Sequence, residues 1–289
     1  MSLTTEQKTK LNKIAQEIRD AVSKKQETAS LSFVEDTHTY YIKNLQGEVV
    51  TSYPSVSTVL HRFYTPFIAE NTKSFKDCGG DPAKEKELLD GWAATGTYAS
   101  HQGSRVHYLL EKHLIDMYGA YKEVRQPIFE CDDEQIKNGD KMITAGKEYI
   151  DLMHERGAIL LDTEMVLGSA ELGYTGQPDK VWVMFDKDGN PGIVITDWKS
   201  NKPKNMKPNR WTKPMLHPFH YLDDTALGHY NVQLPLYGKL LLKMLEDSKF
   251  KDIKILGCIV VHVTDKGEFN EFKVSKKTID TTLALDINK

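Results

Sequence analysis

Asp179 opens the run Asp-Lys-Val-Trp-Val-Met-Phe185, and Asp197 stands near the end of Ile193-Val-Ile-Thr-Asp-Trp-Lys199. Between them, Asp186-Lys-Asp-Gly-Asn-Pro-Gly192 is dense in turn formers. β-Branched and aromatic residues on either side of such a segment predict a hairpin. Asp179 then lies early in the first strand and Asp197 late in the second, and antiparallel pairing sets the two side by side. Two carboxylates that close raise one another's pKa unless a cation sits between them. The pattern is a metal-ion site in outline. Lys199, two residues beyond Asp197, shares its face of the strand.

The elements that must hold these residues follow from the hydrophobic pattern. A polar helix is expected from about Thr5 to Lys25, then a strand within Leu31 to Ile42 that the turn at Gln46-Gly47 folds into a hairpin. Pro54 stops the next strand and Ser55 is placed to cap a short helix through Leu60. Val106, Leu109, Leu110, Leu114 and Met117 recur at helical spacing within Ser100 to Met117, and Asp133 to His154 carries a second long helical pattern. From Ala158 the pattern turns to strands: Ile159 to Leu167, Asp179 to Phe185, Ile193 to Thr196, Ile255 to Val263 and Phe269 to Val274, with a helix ending near Glu246. The expected fold is α/β, a mixed sheet flanked by helices with a largely helical N-terminal half. Residues 1–30 read as an N-terminal helix and 31–289 as a single domain, its sheet core within 158–275.

Composition narrows the partners. The chain carries 38 Lys and Arg against 41 Asp and Glu, so any nucleic acid must be held by a local patch rather than a global field. Cys78, Cys131 and Cys258 are scattered, which argues against a structural zinc site, an iron–sulfur cluster or a disulfide framework. A reducing compartment fits. Leu11 to Val22 includes Glu17 and Asp20, unlike a secretory signal or an acid-poor transit peptide. No apolar stretch approaches the roughly 20 residues of a membrane helix, so a cytoplasmic protein is expected.

Taken in order, Glu164, Pro178-Asp179, Asp197-Trp198-Lys199 and Gln233-Leu-Pro-Leu-Tyr237 resemble the PD-(D/E)XK nucleases, specifically their RecB-like exonuclease branch. Upstream, Gly103-Ser-Arg-Val-His107-Tyr-Leu-Leu-Glu111 looks like the Gly-x-x-x-His helix of that branch. His38-Thr-Tyr40 and Pro54-Ser-Val-Ser-Thr-Val-Leu60 are similar to its N-terminal hairpin and helix. Each motif alone is short; their collinearity carries the resemblance. The chain departs from members that bind an iron–sulfur cluster, since three cysteines cannot supply four ligands.

The resemblance implies a restriction-endonuclease-like fold and a site for Mg²⁺ or Mn²⁺. Asp179, Asp197 and the Trp198 backbone carbonyl would be hard oxygen ligands. Lys199 would orient the attacking water and stabilise developing charge. Glu164 would bind the metal through water or hold a second ion. His107 would add a nitrogen ligand that favours tolerance of Mn²⁺. Helical spacing puts Gly103, His107 and Glu111 on one face, away from Leu110 and Leu114, with Gly103 permitting close backbone approach.

Two further groups suit a nucleic-acid partner. Gln233 and Tyr237 lie on one helix face, and with Asn231 as N-cap Pro235 would fall in the first turn, its helix N-terminus open to a phosphate. From Lys199 to Tyr221 the chain has Lys202, Lys204, Lys207, Arg210 and Lys213 and no acidic residue, interleaved with Trp211, Phe219 and Tyr221. Basic groups track phosphates while aromatics stack on bases, the combination used for single strands. His217, His220 and His229, without carboxylate company, read as surface histidines. The expected activity is a metal-dependent DNA exonuclease acting on single strands or free ends. A structure-selective or sequence-specific endonuclease, and a binding protein that has lost catalysis, are the alternatives.

Overall fold

Helix α1 (Thr5–Ala29) begins at a capping box in which the Thr4 hydroxyl accepts the Gln7 N–H and the Gln7 side chain accepts the Thr4 N–H. Its stripe of Leu11, Ala15, Ile18 and Val22 is buried, and Arg19 donates to the carbonyls of Leu161 and Leu160 at 2.6 and 2.7 Å. The helix runs a turn beyond Lys25 and belongs to the core. The structure is a computed structural model and describes residues 3–118 and 129–287. Strands β1 (Ser32–Val34), β2 (Thr39–Lys43) and β3 (Val49–Val50) form a small antiparallel sheet. Helix α2 (Val56–Leu60) is capped by Ser55 as its sequence indicates.

After the short α3 (Lys73–Lys76), α4 runs Pro82–Tyr118, starting far upstream of Ser100. Its first buried residue is Val106. The preceding turns bury nothing, so they leave no apolar period in the sequence, and Gly91 and Gly96 argue locally against a helix. Helix α5 (Asp133–Glu155) starts from a second capping box, Asp132 with Gln135.

Strand β4 (Ile159–Thr163) stops where one strand to Leu167 was expected, because Glu164 takes a left-handed φ of 45°. The chain then forms a separate ribbon, β5 (Leu167–Ser169) with β6 (Tyr174–Gly176). Strands β7 (Lys180–Phe185) and β8 (Pro191–Lys199) make the expected hairpin. Helix α6 (Ala226–Leu245) crosses over to β9 (Lys254–Val263), and β10 (Phe269–Lys273) and α7 (Lys276–Ala284) complete the fold. The central sheet has the order β10-β9-β8-β7-β4, with β8 and β9 parallel and the other neighbours antiparallel.

Alternation along the strands supplies two cores. Val181, Val183, Ile193 and Ile195 pack with α1 and α6, while Trp182, Val194 and Trp198 pack with α4 and α5. The second face is pinned by the Trp182 indole N–H donating to Thr196 at 2.9 Å and by Tyr149 meeting Trp198 edge-on at 5.5 Å. Among the described residues no helix is long and apolar enough to cross a membrane.

Candidate metal centre

Strand register assembles the acidic residues. Thr163 pairs with Lys180 and Lys180 with Thr196. One residue further along, the Glu164 N–H donates to the Asp179 carbonyl at 3.0 Å, and Asp179 falls opposite Asp197. Glu164, Asp179 and Asp197 therefore form a transverse row across the ends of β4, β7 and β8. Glu164 lies just past its strand rather than on it. Its left-handed backbone ends β4 there, and Gln177 donates to its carbonyl at 3.0 Å.

Helix α4 brings His107 over this row, with Nδ1 3.4 Å from Asp179 Oδ2. Ligand-capable atoms of His107, Glu164 and Asp179 all lie within 4.8 Å of one another. Asp197 stands beside this group and is ion-paired with Lys199. Lys199 also sits over the ring of Tyr230, 4.5 Å from its centroid. Glu111 turns instead to the end of β4, accepting from the Thr163 hydroxyl at 3.2 Å. At Gly103 a side chain would come 3.4 Å from Ser200 Oγ, so the close approach there is to the chain leaving β8.

The Trp198 N–H donates to Asp179 Oδ2 at 2.7 Å. In a strand the N–H and C=O of one residue project to the same edge. The Trp198 carbonyl thus faces the β7 side, where Asp179 and His107 converge. One imidazole, two carboxylates and a backbone carbonyl are a hard, oxygen-rich donor set that fits Mg²⁺ or Mn²⁺.

The electrostatics agree. Burial alone would raise the Asp179 pKa, but His107, Lys180, Lys199 and the Trp198 N–H together bring it down to about 2. Asp197 is pushed up by burial and by Asp179, against the pull of Lys199. Burial lowers the pKa of His107 against the pull of Asp179, with Lys199 and Lys180 adding to the lowering, a shift toward the neutral form that a metal ligand needs. Burial would lower Lys199 too, yet Asp197 and Asp179 raise it above its ordinary range. Burial lowers the pKa of Lys180, against the pull of Asp179, Asp197 and Glu164.

Gln233 and Tyr237 differ from expectation. Helix α6 is capped by Thr225, so Asn231 is not its N-cap, Pro235 lies inside it, and its N-terminus is more than a turn upstream. Gln233 and Tyr237 are buried, with the Gln233 amide donating to the Tyr237 hydroxyl at 2.9 Å. The Tyr237 ring fits against Gly176, where a side chain would come 2.8 Å from it, and its hydroxyl is driven far above its ordinary pKa by burial and then by Asp197. It lies buried within electrostatic reach of Asp197 and Asp179.

In the basic segment Lys202, Lys204, Lys207 and Arg210 are exposed, and Trp211 is 76% exposed with Arg210 stacked 4.7 Å from its ring centroid. Phe219, by contrast, is fully buried against Phe63, and Lys277 covers the ring of Tyr221 at 3.8 Å. Trp211 is the aromatic of this segment that remains open to a base. His217 and His220 are exposed. His229 is not a surface histidine: it bonds Asp224 at 2.7 Å and stacks on Tyr64 at 3.9 Å.

Sequence reasoning missed Lys180 and Tyr230. Lys180 is 1% exposed, on the same face as Trp182 and Trp198, and its alternation with Trp182 was the available signal. Tyr230 precedes Gln233 and Tyr237 at the spacing of one helix face. A cleft of about 640 Å³ lined by Met153, Met184, Lys254, Ile259 and Lys273 opens at the opposite ends of the strands. No family model matches this chain, and no curated protein does.

Proposed function

We propose that this chain is a metal-dependent DNA exonuclease of restriction-endonuclease-like fold, in the RecB-like branch of the PD-(D/E)XK nucleases, acting in DNA recombination, repair or replication. The observation that carries the reading is the row Glu164, Asp179, Asp197, with His107 above it and Lys199 at its end. A bound Mg²⁺ or Mn²⁺ supplies charge neutralisation and lowers the pKa of a water molecule. Asp179, Glu164, His107 and the Trp198 carbonyl would hold it. Asp197 would complete its ligands and keeps Lys199 in place. Lys199 orients the water and meets the negative charge that grows on the phosphate. Tyr237, braced by Gln233 and buried beside the carboxylates, would help exclude water.

The nucleic-acid partner is supported by the exposed run Lys202, Lys204, Lys207 and Arg210, which begins where β8 delivers Lys199. Trp211 offers a stacking face at its far end. Incubation of linear and circular DNA, single-stranded and duplex, with Mg²⁺ or Mn²⁺ tests the reading. Linear molecules should be degraded from their ends and circles spared. Cutting of circles would replace exonuclease with endonuclease.

A further inference from the structure

Lys180 is the odd member of the site. Its side chain is sealed at 1% exposure on the α5 side of the sheet, directly behind the carboxylate row. Its ammonium lies 3.9 Å from the centroid of the Trp198 ring and 3.5 Å from Asp179 Oδ2, and Nζ has no hydrogen-bond partner. A buried ammonium is costly unless an opposite charge compensates it, and a π face offsets part of that cost. Here the compensation comes from carboxylates that would otherwise repel one another. Asp179 Oδ2 already takes the Trp198 N–H, so Lys180 and that amide hold the same oxygen from behind, while His107 approaches it from α4.

We propose that Lys180 is a resident counter-cation of the row, a positioning residue that keeps Asp179 in place in the metal-free protein and sets how tightly a divalent ion is taken. This rests on the metal-site reading above. Lys199 cannot fill the same role, because it is paired with Asp197 at the mouth of the site. Lys180, at 1% exposure, is closed off from solvent. Its fixed charge lowers the net negative charge that an incoming cation meets, so divalent affinity is weaker than the ligand set alone would give.

The test uses Mn²⁺ alone, without DNA. Mn²⁺ binding by electron paramagnetic resonance is compared for the full chain and for Lys180→Met, which preserves the unbranched stem against Trp198 without the charge. Lys180→Gln serves as a second neutral variant. Both should bind Mn²⁺ more tightly, with a dissociation constant lower by about tenfold or more, as expected when a fixed like charge is removed at short range. The metal-free variants should melt below the wild type and show a larger thermal shift on adding Mn²⁺. A purely structural lysine would not tighten metal binding. Folded variants with unchanged or weaker Mn²⁺ affinity would overturn the proposal, as would variants that fail to fold even with Mn²⁺ present. Wild-type protein that takes no Mn²⁺ at all would remove the metal site itself, a different failure from wild-type binding that the variants leave unchanged.

Discussion

In the proposed nuclease Lys199 and His107 would have separate roles, and each can be removed separately. Lys199 is paired with Asp197 and stacked on Tyr230, so in the proposed nuclease it would contribute charge and orientation rather than a metal bond. Lys199→Ala should lower kcat by about 10²-fold or more, as loss of one transition-state stabiliser does, while Mn²⁺ remains bound. Normal turnover would reduce Lys199 to a strand-end charge. In the proposed metal site His107 would provide a nitrogen ligand beside oxygen donors. After His107→Ala the metal should still bind, but the ratio of activity in Mn²⁺ to activity in Mg²⁺ at matched concentrations should fall. An unchanged ratio and rate would leave His107 as a neighbour of Asp179 and no more.

At the scale of elements, α5 is tied to the far edge of the sheet by Arg156, whose guanidinium grips Glu271 of β10 through both oxygens, one pair at 2.9 Å. Hydrogen bonding from Arg156 holds the Glu271 carboxyl below its ordinary range against the effect of burial. A depressed carboxyl contributes stability at pH above its unfolded pKa and loses it as pH falls through the folded value. Glu271→Gln should therefore cost about 1 kcal/mol near neutral pH, the scale of a partly exposed bidentate pair. The difference from wild type should vanish in acid, as read by urea denaturation across pH. A gap independent of pH would show that the pair acts through packing alone.

Elements were legible where burial imposes a period. The β7–β8 hairpin, α5 and the Ser55 cap follow from alternation, helical spacing and capping chemistry. The outer turns of α4 were not, because they bury nothing. The start of α6 was misplaced because Pro235 resembles a first-turn proline, whereas Thr225 caps the helix upstream. Within the site, Asp179 opposite Asp197 could be read from the hairpin alone. The turn at Glu164 could not, since a left-handed glutamate leaves no mark in composition. Nor could the burial of Lys180, which depends on carboxylates and an indole brought together only by the fold.

For the whole molecule, net charge near balance and the basic run from Lys202 to Lys213 would make the proposed nucleic-acid binding local. Lys204, Lys207 and Arg210 are exposed beyond the end of β8 and clear of the core. Replacing all three by Ala should weaken DNA binding alike on every sequence and flatten its salt dependence. The slope of log K against log salt should fall by roughly 0.7 for each lost single-strand contact. An unchanged slope would leave the segment an ordinary exposed loop. The most direct measurement is Mn²⁺-dependent release of nucleotides from end-labelled linear DNA by wild type and Asp179→Asn, both checked for folding by circular dichroism. Asp179 is the point where His107, Lys180 and the Trp198 amide converge, so wild type should degrade the DNA only with the metal and Asp179→Asn should release nothing above background. Degradation by the variant at the wild-type rate, or none by wild type with Mg²⁺ or Mn²⁺, would contradict the assignment of this row as a nuclease centre.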